Sequence, residues 1–475
     1  MWNVWRVLAV GFGGHKQGAS KLLKNFVPLP LCVIFAWMKR SLIFGLVSVL
    51  LLLNLALGAN IYLNSSRPTN SDNDTAQTSL KVFNDALQTI HGEYVDGKDL
   101  TYRQLVYSAL KGAVSRLDPH SEFLDADSFQ ELQDDTQGQF GGVGLMVGMK
   151  DGQMTVIAPM DDTPGSRAGI LSGDRITKVD GKSVAKLELN DVVKMLRGDP
   201  GSTVRLTVER PGTGASKTYI LTRAIIQMEM VKDINGQKNF PVDENKIGYV
   251  RITQFGEKTG EELQAAIDKL KEQQMKGLII DLRWNPGGLL DQAVEVCQKF
   301  LPSGQLVVST EGRHTMEKYY ARGTGDELKD VPIVVLANLG SASAAEIVTG
   351  CLQDLHRAVV LGEKTFGKGS VQTIFPLDDG SALKLTVAKY YTPSHKVIHQ
   401  HGITPDVLVP LTDAEEAAIL VKRTPGGLES LPDKDRTGVV GAQDEQLNRA
   451  EDLLKGLILY DRLTGSPTIK KMAAK

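Results

Sequence analysis

Between residues 246 and 362 short apolar runs alternate with amphipathic helical stretches, and no other feature constrains the fold of this chain as much. KIGYVRITQF (246–255), KGLIIDLRW (276–284), QLVVST (305–310) and PIVVLAN (332–338) read as strands. KTGEELQAAIDKLKEQQ (258–274) and LLDQAVEVCQKFL (289–301) carry helical periodicity between them. Short buried strands joined by crossover helices specify an α/β layered core. Two further strand-rich stretches, 358–377 and 381–393, come after it.

The junction after the run at 332–338 is unusual. NLGSASAAEI (338–347) places two serines among residues with almost no side chain, between a strand and a helix. Ser343 and Glu346 fit the S-x-x-E capping box that closes a helix N-terminus. The same small residues also clear space for a substrate backbone around a nucleophilic hydroxyl. Ser341 reads as loop packing.

A nucleophilic serine needs a base. Of the eight histidines, His395, His399 and His401 cluster in a polar loop, but no G-x-S-x-G elbow accompanies them, which counts against a Ser-His esterase. In GEKTFGKGSVQ (362–372) Lys368 stands between two glycines and is flanked by strand residues. Burial lowers a lysine pKa, and a neutral amine is a general base. Taken alone, Lys368 reads as a surface turn lysine. NPGG (285–288) ends a buried strand with backbone N–H groups exposed, and Ala344 offers another N–H at a helix start. Two donors aimed at one point make an oxyanion hole; a plain turn is the other reading of 285–288.

Residues 138–225 change period. GGVGLMVG (141–148), MTVIAPM (154–160), SRAGILSGDRITKVDG (166–181), LNDVVKMLRG (189–198) and TVRLTVERPG (203–212) resemble a PDZ domain in order and spacing. The resemblance implies that the loop Gly142, Val143, Gly144, Leu145 offers N–H groups to a peptide's terminal carboxylate. The peptide then lies as an added strand against the helix carrying Leu189, Val193 and Leu196.

The chain begins differently. Residues 41–63, SLIFGLVSVLLLLNLALGANIYL, form an uncharged run of 23 residues preceded by Lys39 and Arg40. That length spans a bilayer, and the positive flank leaves the N-terminus in the cytoplasm and exports the chain beyond Leu63. A signal peptide cleaved near 56–59 is the rival reading. Met38-Lys39-Arg40 looks like a natural start, which makes residues 1–37 an overlong gene model. We therefore expect a cytoplasmic segment (1–40), a transmembrane anchor (41–63), a polar linker (64–78) and a helical region (79–137), whose helices serve packing alone and are broken at DPHSEFL (118–124). An inserted PDZ domain (138–225), a core (226–410) and a C-terminal helical extension (411–475) complete the chain. The 54 basic and 56 acidic residues nearly cancel, so no field recruits nucleic acid. Cys32, Cys297 and Cys351 match no zinc or CxxC spacing and are expected to be free thiols.

RWNPGGLL, NLGSASAAEI and GEKTFGKGSVQ resemble the signature segments of the carboxy-terminal processing peptidases, or tail-specific proteases. The lead-in LDPHSEFL, the inserted PDZ domain and HGITPDVLVP (401–410) fit the same family. The resemblance implies a crotonase/ClpP-like α/β protease core with a helical cap, and a serine endopeptidase without cofactor or metal. It implies Ser343 as nucleophile, Lys368 as general base and Gln372 orienting the lysine. The oxyanion hole then uses Ala344 N–H with a glycine of Gly287-Gly288. Glu346 either helps to orient Lys368 or only caps the helix. Arg197, at the end of the PDZ helix, either gates the dyad on peptide binding or simply satisfies a helix end. Ala345 departs from the pattern, where many members carry serine. The implied partners are protein or peptide substrates held by their C-termini; the run at 41–63 adds a single pass of the bacterial-type inner membrane, and the apolar stripe of the helical stretch 444–462 suits either a homo-oligomer or docking on its own core, with an adaptor as a further partner. The catalytic part would face the periplasm or exterior. A different class of function, an inactive PDZ scaffold that hands clients to another protease, is disfavoured by the joint presence of Ser343, Lys368 and Gln372.

Overall fold

The structure, a computed structural model, describes residues 75–464 apart from 151, 161, 213–214, 314, 324–327, 424–426 and 432. Cys32, the run at 41–63 and the linker before residue 75 lie outside the described residues. Among the described residues no helix is long and apolar enough to cross a membrane.

The chain divides into two units at Gly97. In the first, the helix Ala76–Glu93 starts at Thr75, whose hydroxyl accepts the N–H of Thr78 at 3.3 Å, and none of its residues is buried. The second runs from Lys98 onward.

Its centre is a six-stranded sheet in the order Val231–Lys232, Ile247–Ile252, Gly277–Asp281, Ile333–Ala337, Val359–Gly362, Val407–Leu408. The first pairing is antiparallel and the other four are parallel. Because side chains alternate along a strand, each central strand feeds two cores. Leu278, Ile280 and Val335 point to one face, against Leu263, Ile267, Val296, Val348 and Leu352 from the helices Thr259–Glu272, Leu290–Gln298 and Ala344–Asp354. Ile279, Val334 and Leu336 point to the other, where Leu447, Ala450 and Leu454 of the helix Glu445–Thr464 cover them. The apolar stripe of that last helix suited either self-association or docking in the sequence; here it docks on its own sheet. Cys297 and Cys351 are buried free thiols, and burial pushes the Cys297 thiol up.

A second, antiparallel sheet is built on the long strand Ala382–Tyr391, which pairs with Leu306–Gly312, Ser370–Pro376 and Glu122–Leu124. The last of these was expected to be a break between helices. Its three residues gain their ladder from residues 382–384, a partner that local pattern does not show. Beyond residue 411 the chain forms the helices Asp413–Arg423 and Asp433–Gly441 ahead of the last one.

The inserted unit enters and leaves through a two-stranded ribbon, Gln139–Gly142 against Ala224–Gln227. Between them lies a six-stranded antiparallel sheet packed on the helix Leu189–Leu196 around Val156, Val179, Val192 and Leu206.

Candidate active site

Ser343 stands where the central strand Ile333–Ala337 gives way to the helix Ala344–Asp354, at φ 55° and ψ −118°. That is the first corner of a type II′ turn, a conformation glycine prefers. Holding serine there costs on the order of 1–3 kcal/mol, which the surrounding bonds must offset. Ser341, fully buried, donates to Leu282 O at 2.8 Å and accepts the N–H of Asn338 at 3.0 Å. Asn338 Oδ1 in turn accepts the N–H groups of Trp284 and Gly340. Ser341 thus ties the serine loop to the loop after Asp281.

That second loop carries the glycines. A Cβ on Gly287 would lie 2.6 Å from Ser343 Cβ and 2.9 Å from Ala344 N, so only glycine lets the two loops meet. The N–H of Gly287 is already given to Asn285 Oδ1 at 2.8 Å, while Asn285 Nδ2 holds Ile252 O at 2.7 Å. No described residue accepts from the N–H of Gly288 or Ala344. Of the two glycines offered by the sequence, Gly288 is the available donor and Gly287 is a spacer oriented by Asn285.

Lys368 arrives on the turn before the strand Ser370–Pro376. It lines one pocket of about 530 Å³ together with Ser343, Ala344, Gly288, Gln372 and Tyr390. Burial, with a smaller contribution from Lys384, holds the Lys368 ammonium below its ordinary value, and Glu346 partly opposes this. Glu346 is itself fully buried. Its carboxylate accepts from Ser343 N–H, Thr365 Oγ1, Gly367 N–H and Lys368 N–H. Burial outweighs those donors and raises its pKa.

Gln372 was expected to orient the lysine. It lines the pocket, but its amide donates to Ser370 Oγ at 2.9 Å, Ser370 O at 3.2 Å and Thr386 Oγ1 at 3.3 Å, and no hydrogen bond joins it to Lys368. The pairing register shifts between Val371 and Gln372, and the amide bonds to its own strand and to the neighbouring one. The histidines stay apart from Ser343: His395 pairs with Glu311 at 2.9 Å and stacks on Tyr391, and neither His399 nor His401 lines the pocket.

Two participants were not legible in the sequence. Tyr390, buried, donates its hydroxyl to Lys368 O and sits against the Ser343 side chain. It reads locally as an ordinary strand aromatic. The helix Ala126–Gln137, read as packing alone, walls the pocket with Phe129, Leu132, Gln133 and Thr136.

A second groove, of about 450 Å³, lies at the inserted unit and is lined by Val143, Gly144, Leu145, Val193, Leu196 and Arg197, among others. Gly144 has φ 69°, and a Cβ there would meet Thr163 at 2.2 Å. Two expected residues do not line this groove. Gly142 is taken up in the ribbon, and Leu189 packs on the unit's own core. Arg197 lies 4.7 Å over the Phe140 ring centroid and 3.9 Å from Asp135 Oδ1, on the helix that walls the other pocket. Gln254 lines both pockets.

Two family profiles match this chain: peptidase family S41 over residues 246–409 and the PDZ domain over 155–210. A carboxy-terminal-processing protease of Bartonella bacilliformis is 39% identical over 448 residues, covering 90% of this chain and 99% of the relative. The carboxy-terminal processing protease CtpA of Bacillus subtilis is 34% identical over 422 residues, covering 88% and 86%. CtpB of the same organism is 33% identical over 388 residues, covering 82% and 76%.

Proposed function

This chain belongs to peptidase family S41 and is a carboxy-terminal processing serine protease with a PDZ domain, and from that premise we propose that it cleaves with a Ser343–Lys368 dyad. The supporting observation is that Ser343 and Lys368 line one pocket, where burial makes the lysine less basic.

Neutral Nζ of Lys368 takes the proton of Ser343 as Oγ bonds to the substrate carbonyl carbon. Charge that develops on the carbonyl oxygen meets the N–H groups of Ala344 and Gly288, from which no described residue accepts. The C–N bond then breaks, and the Lys368 ammonium returns its proton to the departing amine. Water then loses a proton to the freed Lys368 amine and attacks the acyl-serine ester, and Lys368 returns that proton to Ser343 Oγ as the C–O bond breaks. Glu346 fixes the backbone of both partners, and Gln372 supports the lysine strand through Ser370.

Substrates enter by their C-termini. The loop Val143–Leu145 and the residues Val193 and Leu196 line a groove that suits an added peptide strand, and Arg197 with Asp135 couples it to the helix beside the dyad. The uncharged run at 41–63, behind Lys39 and Arg40, anchors the protease in the inner membrane with its catalytic part exported. The test is incubation with an unstructured protein, Ser343→Ala serving as control. Cleavage by the unaltered chain alone is expected; equal cleavage by Ser343→Ala would remove Ser343 from the mechanism.

A further inference from the structure

Lys232 and Arg251 are direct partners across the antiparallel pairing of Val231–Lys232 with Ile247–Ile252. Like charges opposite each other in a ladder destabilise it, yet neither forms an ion pair with a described carboxylate. The acids nearest in effect to Lys232 are otherwise engaged. Glu229 pairs with Lys238, and Glu262 accepts the N–H groups of Met230 and Val231. Arg251 lies 5.8 Å from the Trp284 ring centroid, and its Nε is buried without a hydrogen-bond partner. Burial and the Arg251 charge together push the Lys232 ammonium below its ordinary value. A buried donor with no acceptor in a native structure calls for an explanation.

Both cations line a cavity of about 160 Å³ whose wall also holds Asp233, Tyr249, Thr253 and Arg423. The other charges there are satisfied. Asp233 accepts the N–H groups of Asn235, Gln237, Asn239 and Phe240. Arg423 is paired with Asp281 and Asp444. What remains is a compact chamber where Arg251, although its charge is felt by Asp281, still lacks an acceptor for its Nε. It is not isolated, because Lys232 and Thr253 also line the 450 Å³ groove beside Val143, Gly144 and Leu145.

We infer that this chamber is a carboxylate subsite, which receives an acidic side chain from the polypeptide whose C-terminus lies in the groove. The inference rests on the proposed C-terminal recognition. It adds a substrate class: chains with Asp or Glu close to the C-terminal end. A carboxylate supplies the acceptor that Arg251 Nε lacks and cancels the repulsion across the ladder. Tethering gives such a side chain a high effective concentration beside the chamber. A free oxyanion such as phosphate would use the same donors, so the test must separate the two.

The test uses the full chain carrying Ser343→Ala, so that binding is read without cleavage, and fluorescence anisotropy of labelled peptides with one apolar C-terminal residue. A single glutamate is moved stepwise from the C-terminus and compared with glutamine at each position. At one or two positions the glutamate peptide should bind about tenfold more tightly. Arg251→Met and Lys232→Met should each abolish most of that preference while leaving the glutamine peptides unchanged. Both variants should melt no lower than the parent, since each relieves an unpaired charge. Equal binding of glutamate and glutamine peptides at every position would overturn the inference. So would variants that weaken both peptides alike, or inorganic phosphate that binds without displacing the glutamate peptide. None of these results bears on the dyad, which is read separately from cleavage.

Discussion

Ser343 and Lys368 are joined through a single atom: Oε2 of Glu346 accepts the N–H of Ser343 at 2.9 Å and that of Lys368 at 2.8 Å. The other oxygen takes Thr365 Oγ1 at 2.6 Å and Gly367 N–H at 2.7 Å. The residue that the capping pattern placed at a helix start is therefore also the clasp of the lysine turn. Glu346 reaches Ser343 and Lys368 through their backbone N–H groups.

Glu346→Gln turns an N–H₂ group toward N–H and O–H donors that have lost their acceptor. We expect a stability loss of about 2–4 kcal/mol and a large fall in kcat, because the lysine turn is released. Urea unfolding with parallel kinetics checks this; a variant as stable as the parent would contradict the clasp.

A second buried cluster holds the loop that carries Gly288. Arg283, fully buried, pairs with Asp281 at 2.7 Å and with Asp444 at 2.8 Å, and Arg423 bridges the same two acids. Removing one member leaves a buried charge uncompensated, so Asp444→Ala should cost about 3–5 kcal/mol. Thermal and urea unfolding measure it. A loss below about 1 kcal/mol would mean that the C-terminal helices do not anchor this loop.

Much of the core was legible because it depends on local pattern. Paired apolar runs gave the parallel strands, and the conjunction of NPGG, Ser343 and Lys368 marked the site. What stayed hidden depends on long-range neighbours. Tyr390 acquires its role from Lys368 and Ser343, reached only when strand 382–391 folds back. The choice of Gly288 over Gly287 turns on where Asn285 Oδ1 points, and the role of helix 126–137 on which pocket it faces. No spacing rule contains those facts.

The groove at Val143–Leu145 leads to a simple comparison. Substrates with a free C-terminal carboxylate should be cleaved several-fold faster than the same chains amidated, because the loop loses a charged acceptor. Equal rates would contradict carboxylate reading.

Arg197 spans from the PDZ helix to Asp135, and its Nε is buried without a partner. Arg197→Ala should lower kcat for tail-bearing substrates more than it weakens peptide binding to the groove. Unchanged kcat and unchanged substrate selectivity would reduce Arg197 to the end of a helix.

The proposed mechanism has Lys368 working as a neutral base. Its pKa lies below the ordinary 10.5 because burial disfavours the ammonium. The folded chain therefore binds fewer protons at this position than the unfolded chain. Its stability relative to Lys368→Met should rise with pH from the depressed value up to 10.5. Activity should rise with pH along one ionisation over the lower part of that range. The most direct measurement is cleavage by folded Lys368→Arg. A guanidinium stays protonated at any working pH, so a neutral Lys368 base predicts activity as low as in Ser343→Ala. Substantial cleavage by Lys368→Arg would contradict it.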